Sequence, residues 1–235
     1  MELLDRLAED PARAAVLFDV DGVLAPIVPR PEDAHVPVEL RDELRRLDAR
    51  YALVACVSGR DGADASTVVG VPELTYVGNH GLELEPEADE WAARLDEFLG
   101  TVDWPQIENK RLTASLHYRA APDEAAARRE LDAVAQRARD AGLVARYGRK
   151  VLELVPPLAA HKGTAIRRLL DERRLVRALY AGDDTTDLDA FTALDVLELG
   201  ICVAVASPEG PQELRERADI VLGSQREVID LLRAL

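Results

Sequence analysis

Asp19 and Asp21 follow the apolar run Ala14–Phe18, and one residue separates them. The run is continuously apolar, as in a strand that is buried on both faces, and Gly22 breaks the pattern. Because side chains alternate along an extended backbone, we expect both aspartates on one side, close enough to share one Mg²⁺. Beside such a metal, Asp19 is the candidate nucleophile towards phosphorus and Asp21 the candidate acid and base. The same pattern also fits a turn or a fragment of a calcium loop.

Two further segments have residues that suit a phosphate group. Ser58-Gly59-Arg60 follows the apolar run Leu53–Val57 and offers a hydroxyl and a compact backbone turn to phosphate oxygens. Lys162 precedes a helical pattern, which places it near a helix N-terminus, where an anion is favoured. A plain turn and a solvated surface lysine are the alternatives for these two segments.

An acidic segment follows the apolar run 177–181 and contains Asp183, Asp184 and Asp187. Carboxylates at this density repel one another unless a cation or hydrogen-bond donors neutralise them. An acidic turn that caps a helix is the alternative. Ligands of open α/β sheets bind at the carboxyl ends of the strands, so we expect the four segments, each at the end of a predicted strand, to form one site.

Several motifs together are typical of one enzyme superfamily. They are Asp19-Val20-Asp21-Gly22, Ser58-Gly59-Arg60, Lys162-Gly163 and Gly182-Asp183-Asp184-x-x-Asp187. With these motifs the chain resembles phosphatases of the haloacid dehalogenase-like superfamily. Further segments are Gly78-Asn79-His80-Gly81-Leu82-Glu83, Glu108-Asn109-Lys110, His117-Tyr118-Arg119 and Gly148-x-x-Val151-Leu152-Glu153. They resemble the trehalose-6-phosphate phosphatase family, and the likeness extends from Val16 to the C-terminus.

The resemblance implies a Mg²⁺-dependent phosphatase that converts trehalose 6-phosphate to trehalose and inorganic phosphate through an aspartyl-phosphate on Asp19. Lys162 is expected to stabilise the charge of the reacting phosphoryl group, while Asp21 exchanges the proton. The metal ligands implied are Asp19, the backbone carbonyl of Asp21, and Asp183. The supporting residues implied are Asp184 and Asp187.

Substrate contacts are expected in two groups. The residues expected to hold the phosphoryl group are Ser58, Gly59 and Arg60. The positions that the resemblance assigns to the sugar are Asn109, Lys110, His117 and Glu153. For the nearby Arg119 and Arg146, a surface ion-pair network is an equally good interpretation.

The order of apolar patterns predicts an α/β fold with a Rossmann-like parallel-sheet core in residues 1–83 and 157–235. Residues 84–156 are predicted to form an inserted α+β cap domain. Its patterns run in the order α-β-β-α-β-β, with a strand-like alternation at 111–119, and predict an antiparallel sheet that carries two helices. We expect this cap to determine substrate specificity and to close during the reaction.

Two positions depart from the family pattern. Val23 stands where a threonine is usual, and Leu188 stands where a glutamate is common. Neither change removes a carboxylate that the chemistry needs. The departures bear on the choice and efficiency of the substrate more than on the class of reaction.

Composition limits the classes of partner. Of 235 residues, 29 are Lys or Arg and 44 are Asp or Glu, so the net charge is −15. This charge disfavours nucleic acid and anionic membrane surfaces, and it makes Mg²⁺, Lys162 and Arg60 the available sources of positive charge for a phosphate ester. Cys56 and Cys202 lie in apolar runs, so we expect buried free thiols, which fit a cytoplasmic enzyme. Since no run of apolar residues approaches the length of a membrane span, we expect no such span. A monomer fits the sequence, which leaves the oligomeric state open.

Two other functions fit the same motifs. One is another sugar-phosphate phosphatase of the superfamily, acting on a glucosyl- or mannosyl-glycerate phosphate or on sucrose phosphate. The other is a non-catalytic sugar-phosphate sensor. Because every acid that turnover needs is present, the sequence favours an enzyme over a sensor.

Overall fold

The structure is a computed structural model that describes residues 2–28, 30–148, 150–206 and 210–235. The chain divides into two compact units, which are residues 1–81 with 160–235, and residues 82–159. We name them the core unit and the cap unit. The sequence places the insertion at 84–156, and its role as a specificity domain stays a prediction.

The helices and strands are numbered in chain order. The ten described strands are β1 Ala14–Phe18, β2 Leu53–Val57, β3 Thr75–Val77, β4 Ile107–Asn109, β5 Ala114–His117, β6 Val144–Gly148, β7 Val151–Val155, β8 Arg177–Gly182, β9 Leu199–Val205 and β10 Ile220–Leu222. The described α-helices are α1 Glu2–Ala8, α2 Val38–Asp48, α3 Gly62–Val69, α4 Ala88–Leu99, α5 Glu124–Asp140, α6 Lys162–Arg173, α7 Asp187–Leu194, α8 Gln212–Arg217 and α9 Val228–Ala234.

The core unit contains one sheet of six parallel strands in the order β10-β9-β8-β1-β2-β3. Every residue of β1 and β2 is buried. Since alternate residues of a strand point to opposite faces, both faces of the sheet are covered at these strands, which explains their continuous apolar sequences. The predicted α/β fold with a parallel-sheet core is confirmed.

The three central strands of this sheet end at the same edge. Strand β1 lies between β2 and β8 and pairs with both in parallel register up to its last residue. Asp19, Ser58 and Asp183 are the residues that directly follow these three strands. The topology therefore brings three of the four predicted segments to one sheet edge.

The cap unit contains an antiparallel sheet of four strands in the order β4-β5-β7-β6. Helices α4 and α5 pack on it through an apolar cluster that includes Leu95, Leu116 and Leu131. This arrangement confirms the predicted antiparallel sheet with two helices. The strand expected at 111–119 is shorter and is limited to β5, because the chain turns between β4 and β5 at residues 110–113.

Two expectations from composition concern cysteines and membrane segments. Cys56 and Cys202 are buried free thiols, as predicted. Among the described helices, none combines the length and the apolar character that a bilayer crossing requires.

Candidate active site

A cavity of about 390 Å³ opens at the carboxyl edge of the core sheet. The predicted site residues that line it are Asp19, Asp21, Ser58, Gly59, Lys162, Asp183 and Asp184. Four further lining residues were not among the predicted site residues: Ile27, His80, Thr186 and Gly210. The four predicted segments thus meet at one cavity within the core unit.

Lys162 is the first residue of α6, and its side chain is only 1% exposed. Its Nζ lies 2.7 Å from Asp19 Oδ2 and 2.7 Å from Asp187 Oδ1. Burial acts to lower the pKa of Lys162, but the two carboxylates outweigh burial and raise it. The predicted helix N-terminus at Lys162 is confirmed. The strand expected directly before Lys162 is not found, because β7 ends at Val155 and the described residues 156–161 form no strand. The alternative of a solvated lysine is wrong.

The carboxylate of Asp187 is fully buried and has four hydrogen-bond donors. Oδ1 accepts from Lys162 Nζ at 2.7 Å and from the hydroxyl of Tyr180 at 2.6 Å. Oδ2 accepts from the backbone N–H groups of Asp183 and Asp184 at 2.8 and 2.9 Å. Burial acts to raise the pKa of Asp187, but Lys162 and these donors hold it below its usual value. Asp187 therefore stays ionised and fixes both Lys162 and the loop after β8.

Tyr180 is a residue that the sequence analysis missed. It lies on β8, is fully buried and reads in sequence as part of an apolar strand. The sequence contains one hint of its role, which is that a tyrosine stands two residues before the Gly-Asp-Asp motif. From that position on the strand, a side chain can reach the carboxyl edge of the sheet.

Asp19 and Asp183 lack the compensation that Asp187 has. Asp19 accepts hydrogen bonds from the backbone N–H of Val20 and the ammonium group of Lys162, yet burial raises its pKa to about 7. Burial and the neighbouring Asp19 raise the pKa of Asp183 to about 8. When all three buried carboxylates are ionised, the single ammonium group leaves these four side chains with two negative charges in excess. A divalent cation would supply the compensating charge.

Three of the described carboxylates form a cluster that could hold a metal ion. An oxygen of each lies within 4.8 Å of an oxygen of the others, and the residues are Asp19, Asp183 and Asp187. Four protein donors occupy Asp187, whereas the hydrogen bonds of the described residues include none to the Asp183 carboxylate. Mg²⁺ prefers oxygen ligands, usually one or two carboxylates. The set of donors therefore fits Mg²⁺ through Asp19 and Asp183. The carboxylate of Asp21 lies outside this cluster.

Gly22 leaves room for the Asp183 carboxylate. A Cβ at position 22 would overlap the Asp183 side chain, and the backbone of Gly22 has a positive φ of 80°. Both observations require glycine here. The glycine of the first motif thus has a steric reason that the sequence alone does not reveal.

Asp21 is paired with Arg60. Arg60 Nε lies 2.7 Å from Asp21 Oδ2, and Nη2 lies 2.8 Å from Oδ1. Its Nη1 contacts Asp64 Oδ2 at 2.8 Å. The structure therefore brings Asp21 and Arg60 together, and they form an ion pair with each other.

Ser58 and Gly59 form the turn after β2. Ser58 is 1% exposed, and its Oγ accepts from the backbone N–H of Arg60 at 3.2 Å, which leaves its own proton for another acceptor. Gly59 lies so close to the ring of His80 that a Cβ at position 59 would collide with that ring. These residues form one wall of the cavity.

The predicted sugar residues lie in the cap unit, and each has a protein partner there. His117 Nε2 lies 3.1 Å from Glu108 Oε2, and Lys110 Nζ lies 3.6 Å from Glu108 Oε1. The Asn109 side chain accepts from the backbone N–H of Arg111 at 2.9 Å.

Strand pairing aligns several of these polar residues. Arg146 Nε lies 3.0 Å from Glu153 Oε2, as the ion-pair interpretation of Arg146 expects. Strand register places Glu108, Ser115, Glu153 and Arg146 in one row across the sheet. Their contact with a sugar stays a prediction.

The two departures from the family pattern have different surroundings. Val23 is completely buried and belongs to the apolar cluster of the core unit. Leu188 is half-buried in the first turn of α7. Packing accounts for the apolar residue at position 23.

We predict that Lys162→Met lowers the free energy of unfolding of the metal-free protein by about 3–5 kcal/mol at pH 8, because two buried carboxylates lose their partner. Without the ammonium group, the folded state binds protons more tightly than the unfolded chain, so the loss should shrink at pH 5. Urea unfolding at both pH values measures it. The matched control is Lys150→Met, which breaks the exposed pair with Glu124 and should cost less than about 1 kcal/mol. Equal losses in the two variants would contradict the prediction.

The pKa of Asp183, raised from 3.8 to about 8, gives a second prediction. The folded metal-free protein holds this proton more tightly than the unfolded chain, so its stability should fall as pH rises from about 4 to about 8. Asp183→Asn removes the charge and should stabilise the metal-free protein at pH 8 by about 1–3 kcal/mol.

Addition of MgCl₂ should raise the melting temperature of the wild type at pH 8 but not that of Asp183→Asn. Asp195→Asn, which alters an exposed aspartate paired with Arg217, is the control and should respond to MgCl₂ as the wild type does. Equal responses of Asp183→Asn and the wild type would refute the metal assignment.

Comparisons with known proteins identify a family. The trehalose-phosphatase family profile matches residues 17–217. The trehalose-phosphate phosphatase of Mycobacterium marinum is 37% identical over an alignment of 205 residues, and the match covers 77% of this chain and 52% of that protein. The chain thus spans about half the length of the curated relatives that it matches.

Solved structures agree in fold. A trehalose-6-phosphate phosphatase related protein superposes with a TM-score of 0.74 at 24% identity, covering 93% of this chain and 95% of that chain. The Aspergillus fumigatus trehalose-6-phosphate phosphatase gives 0.62 at 26% identity, covering 99% and 95%. The profile match extends over most of the chain and includes every motif of the cavity. The chain therefore belongs to the trehalose-phosphatase family.

Proposed function

We propose that this protein hydrolyses trehalose 6-phosphate to trehalose and inorganic phosphate through an aspartyl-phosphate intermediate on Asp19. The observation that carries the proposal is the buried triad of Asp19, Lys162 and Asp187, which lies beside Asp183 at the cavity. A carboxylate held by an ammonium group in a water-poor site is suited to attack phosphorus, because its orientation is fixed before substrate arrives.

In the first step, an oxygen of Asp19 forms a bond to phosphorus while the bond from phosphorus to the sugar oxygen breaks. The departing oxygen takes a proton from Asp21, and Lys162 and the hydroxyl of Ser58 stabilise the charge on the phosphoryl oxygens. In the second step, water gives a proton to Asp21 and attacks the aspartyl-phosphate. Orthophosphate leaves, and Asp19 is restored.

Mg²⁺ is the cofactor that we propose, held by Asp19, Asp183 and the backbone carbonyl of Asp21. When bound, it supplies the positive charge that an anionic substrate needs in this acidic protein. Asp187 is assigned to hold Lys162, and Asp184 stays a supporting residue without an assigned step.

Sugar recognition is assigned to the cap unit. Lys110, His117 and Glu153 have polar side chains on or next to its sheet, which suits hydrogen bonds to hydroxyl groups. Asn109 is retained from the resemblance. In the same proposal, the two buried free thiols support a reducing, cytoplasmic location.

We predict that Asp19→Asn abolishes phosphate release while the fold is kept, because an amide oxygen cannot form the stable acyl phosphate. Release of orthophosphate is measured from trehalose 6-phosphate, sucrose 6-phosphate, glucosylglycerate phosphate and mannosylglycerate phosphate, with MgCl₂ and with EDTA. Acid quench of the wild type during turnover with ³²P-labelled substrate should trap a base-labile phosphoprotein, which the variant lacks.

The control variant is Asp42→Asn, an exposed aspartate paired with Arg45, which should keep full activity. Activity of a purified and folded Asp19→Asn protein would remove the nucleophile assignment. Faster release from another ester than from trehalose 6-phosphate would transfer the proposal to that substrate. No release from any ester by the wild type with Mg²⁺ would favour the sensor.

A further inference from the structure

Arg60 lies beside Asp21 but outside the residues that line the cavity, and carboxylates, rather than open space, face its guanidinium group. Its side chain is 12% exposed, and three of its N–H groups point at Asp21 and Asp64. The two contacts to Asp21 use both carboxylate oxygens, which is the bidentate geometry that arginine forms with a carboxylate. Hydrogen bonding to Asp21 raises the pKa of Arg60 further. The pair is therefore a firm part of the site.

The second carboxylate fixes the guanidinium group from the helix side. Asp64 lies in the first turn of α3, four residues after Arg60, and its side chain is 53% exposed. It lies outside the residues that line the cavity. Its contact with Arg60 orients the arginine towards Asp21, which lines the cavity.

Asp21 needs such support. It lies in the loop after β1, and its side chain is 39% exposed. Backbone hydrogen bonds, such as that from Gly22 N–H to the Ala25 carbonyl at 2.8 Å, hold the backbone of this loop but do not orient the carboxylate. A carboxylate has about four lone-pair sites, so the two bonds from Arg60 leave one site on each oxygen for a proton. The pairing with Arg60 thus orients the Asp21 carboxylate and leaves it able to carry a proton.

We propose that Arg60 is a positioning residue for Asp21, with Asp64 as its anchor, and that it is not a ligand of the phosphoryl group. This inference rests on the proposed function. In it, Arg60 acts on the step in which Asp21 gives its proton to the departing oxygen of the sugar. The phosphoryl charge is left to Lys162, Ser58 and Mg²⁺.

Two leaving groups test the proposal. A sugar alkoxide needs a proton as it departs, whereas the p-nitrophenolate of p-nitrophenyl phosphate does not. The value of kcat/KM reports the steps up to formation of the aspartyl-phosphate, so slow hydrolysis of that intermediate does not mask the difference. Arg60→Met should lower kcat/KM for the sugar phosphate by ~10²-fold and for p-nitrophenyl phosphate by less than ~3-fold.

Asp64→Asn is the second variant, in case Arg60→Met does not fold. It should reduce kcat/KM for the sugar phosphate by several-fold, with p-nitrophenyl phosphate unchanged. Asp42→Asn, an exposed pair of the same kind with Arg45, is the control and should change neither value. A fold check by urea unfolding accompanies each variant.

A double variant separates positioning from phosphate binding. If Arg60 acts through Asp21, Arg60→Met with Asp21→Asn is no slower than Asp21→Asn alone. Additive losses, or equal losses on both substrates with a raised KM, would overturn the inference and leave the proposed function standing. If the wild type releases phosphate from neither ester, the proposed function and this inference both fail.

Discussion

One buried ammonium group, that of Lys162, lies among three buried carboxylates at the carboxyl edge of the core sheet. Charges removed from water are stable only with close compensation, and here the compensation is incomplete by two charges. Burial, together with this imbalance, raises the pKa of Asp19 to about 7 and that of Asp183 to about 8. In the proposed function, a divalent ion would supply the two missing positive charges.

The rest of the core unit serves to hold these four side chains in place. Parallel pairing of β1 with β2 and β8 brings Asp19, Ser58 and Asp183 to one edge. The loop after β8 closes on Asp187, which accepts two of that loop's backbone N–H groups and also binds Lys162. A single carboxylate thus links the end of a strand to the start of α6. Loss of its charge would affect the backbone and the cation together.

Much of this arrangement could be predicted from the sequence, because it depends on local patterns. Continuous apolar runs identified β1, β2 and β8, and the residues after them were the correct candidates for one edge. Burial of Lys162 could not be predicted, since a lysine before a helix is ordinarily solvated and its two partners lie far away in the chain. The same reason hides the pairing of Arg60 with Asp21, which are 39 residues apart. Tyr180 escaped notice because an aromatic residue in an apolar strand has the pattern of ordinary core packing.

The chain returns to the core unit at residue 160, and Lys162 follows almost at once. The returning segment is therefore tied down immediately by two ion pairs and by the first turn of α6. Such an early anchor makes the position of Lys162 independent of the length of the inserted segment. That segment can be lengthened, shortened or exchanged while Lys162 and its two carboxylates keep their places.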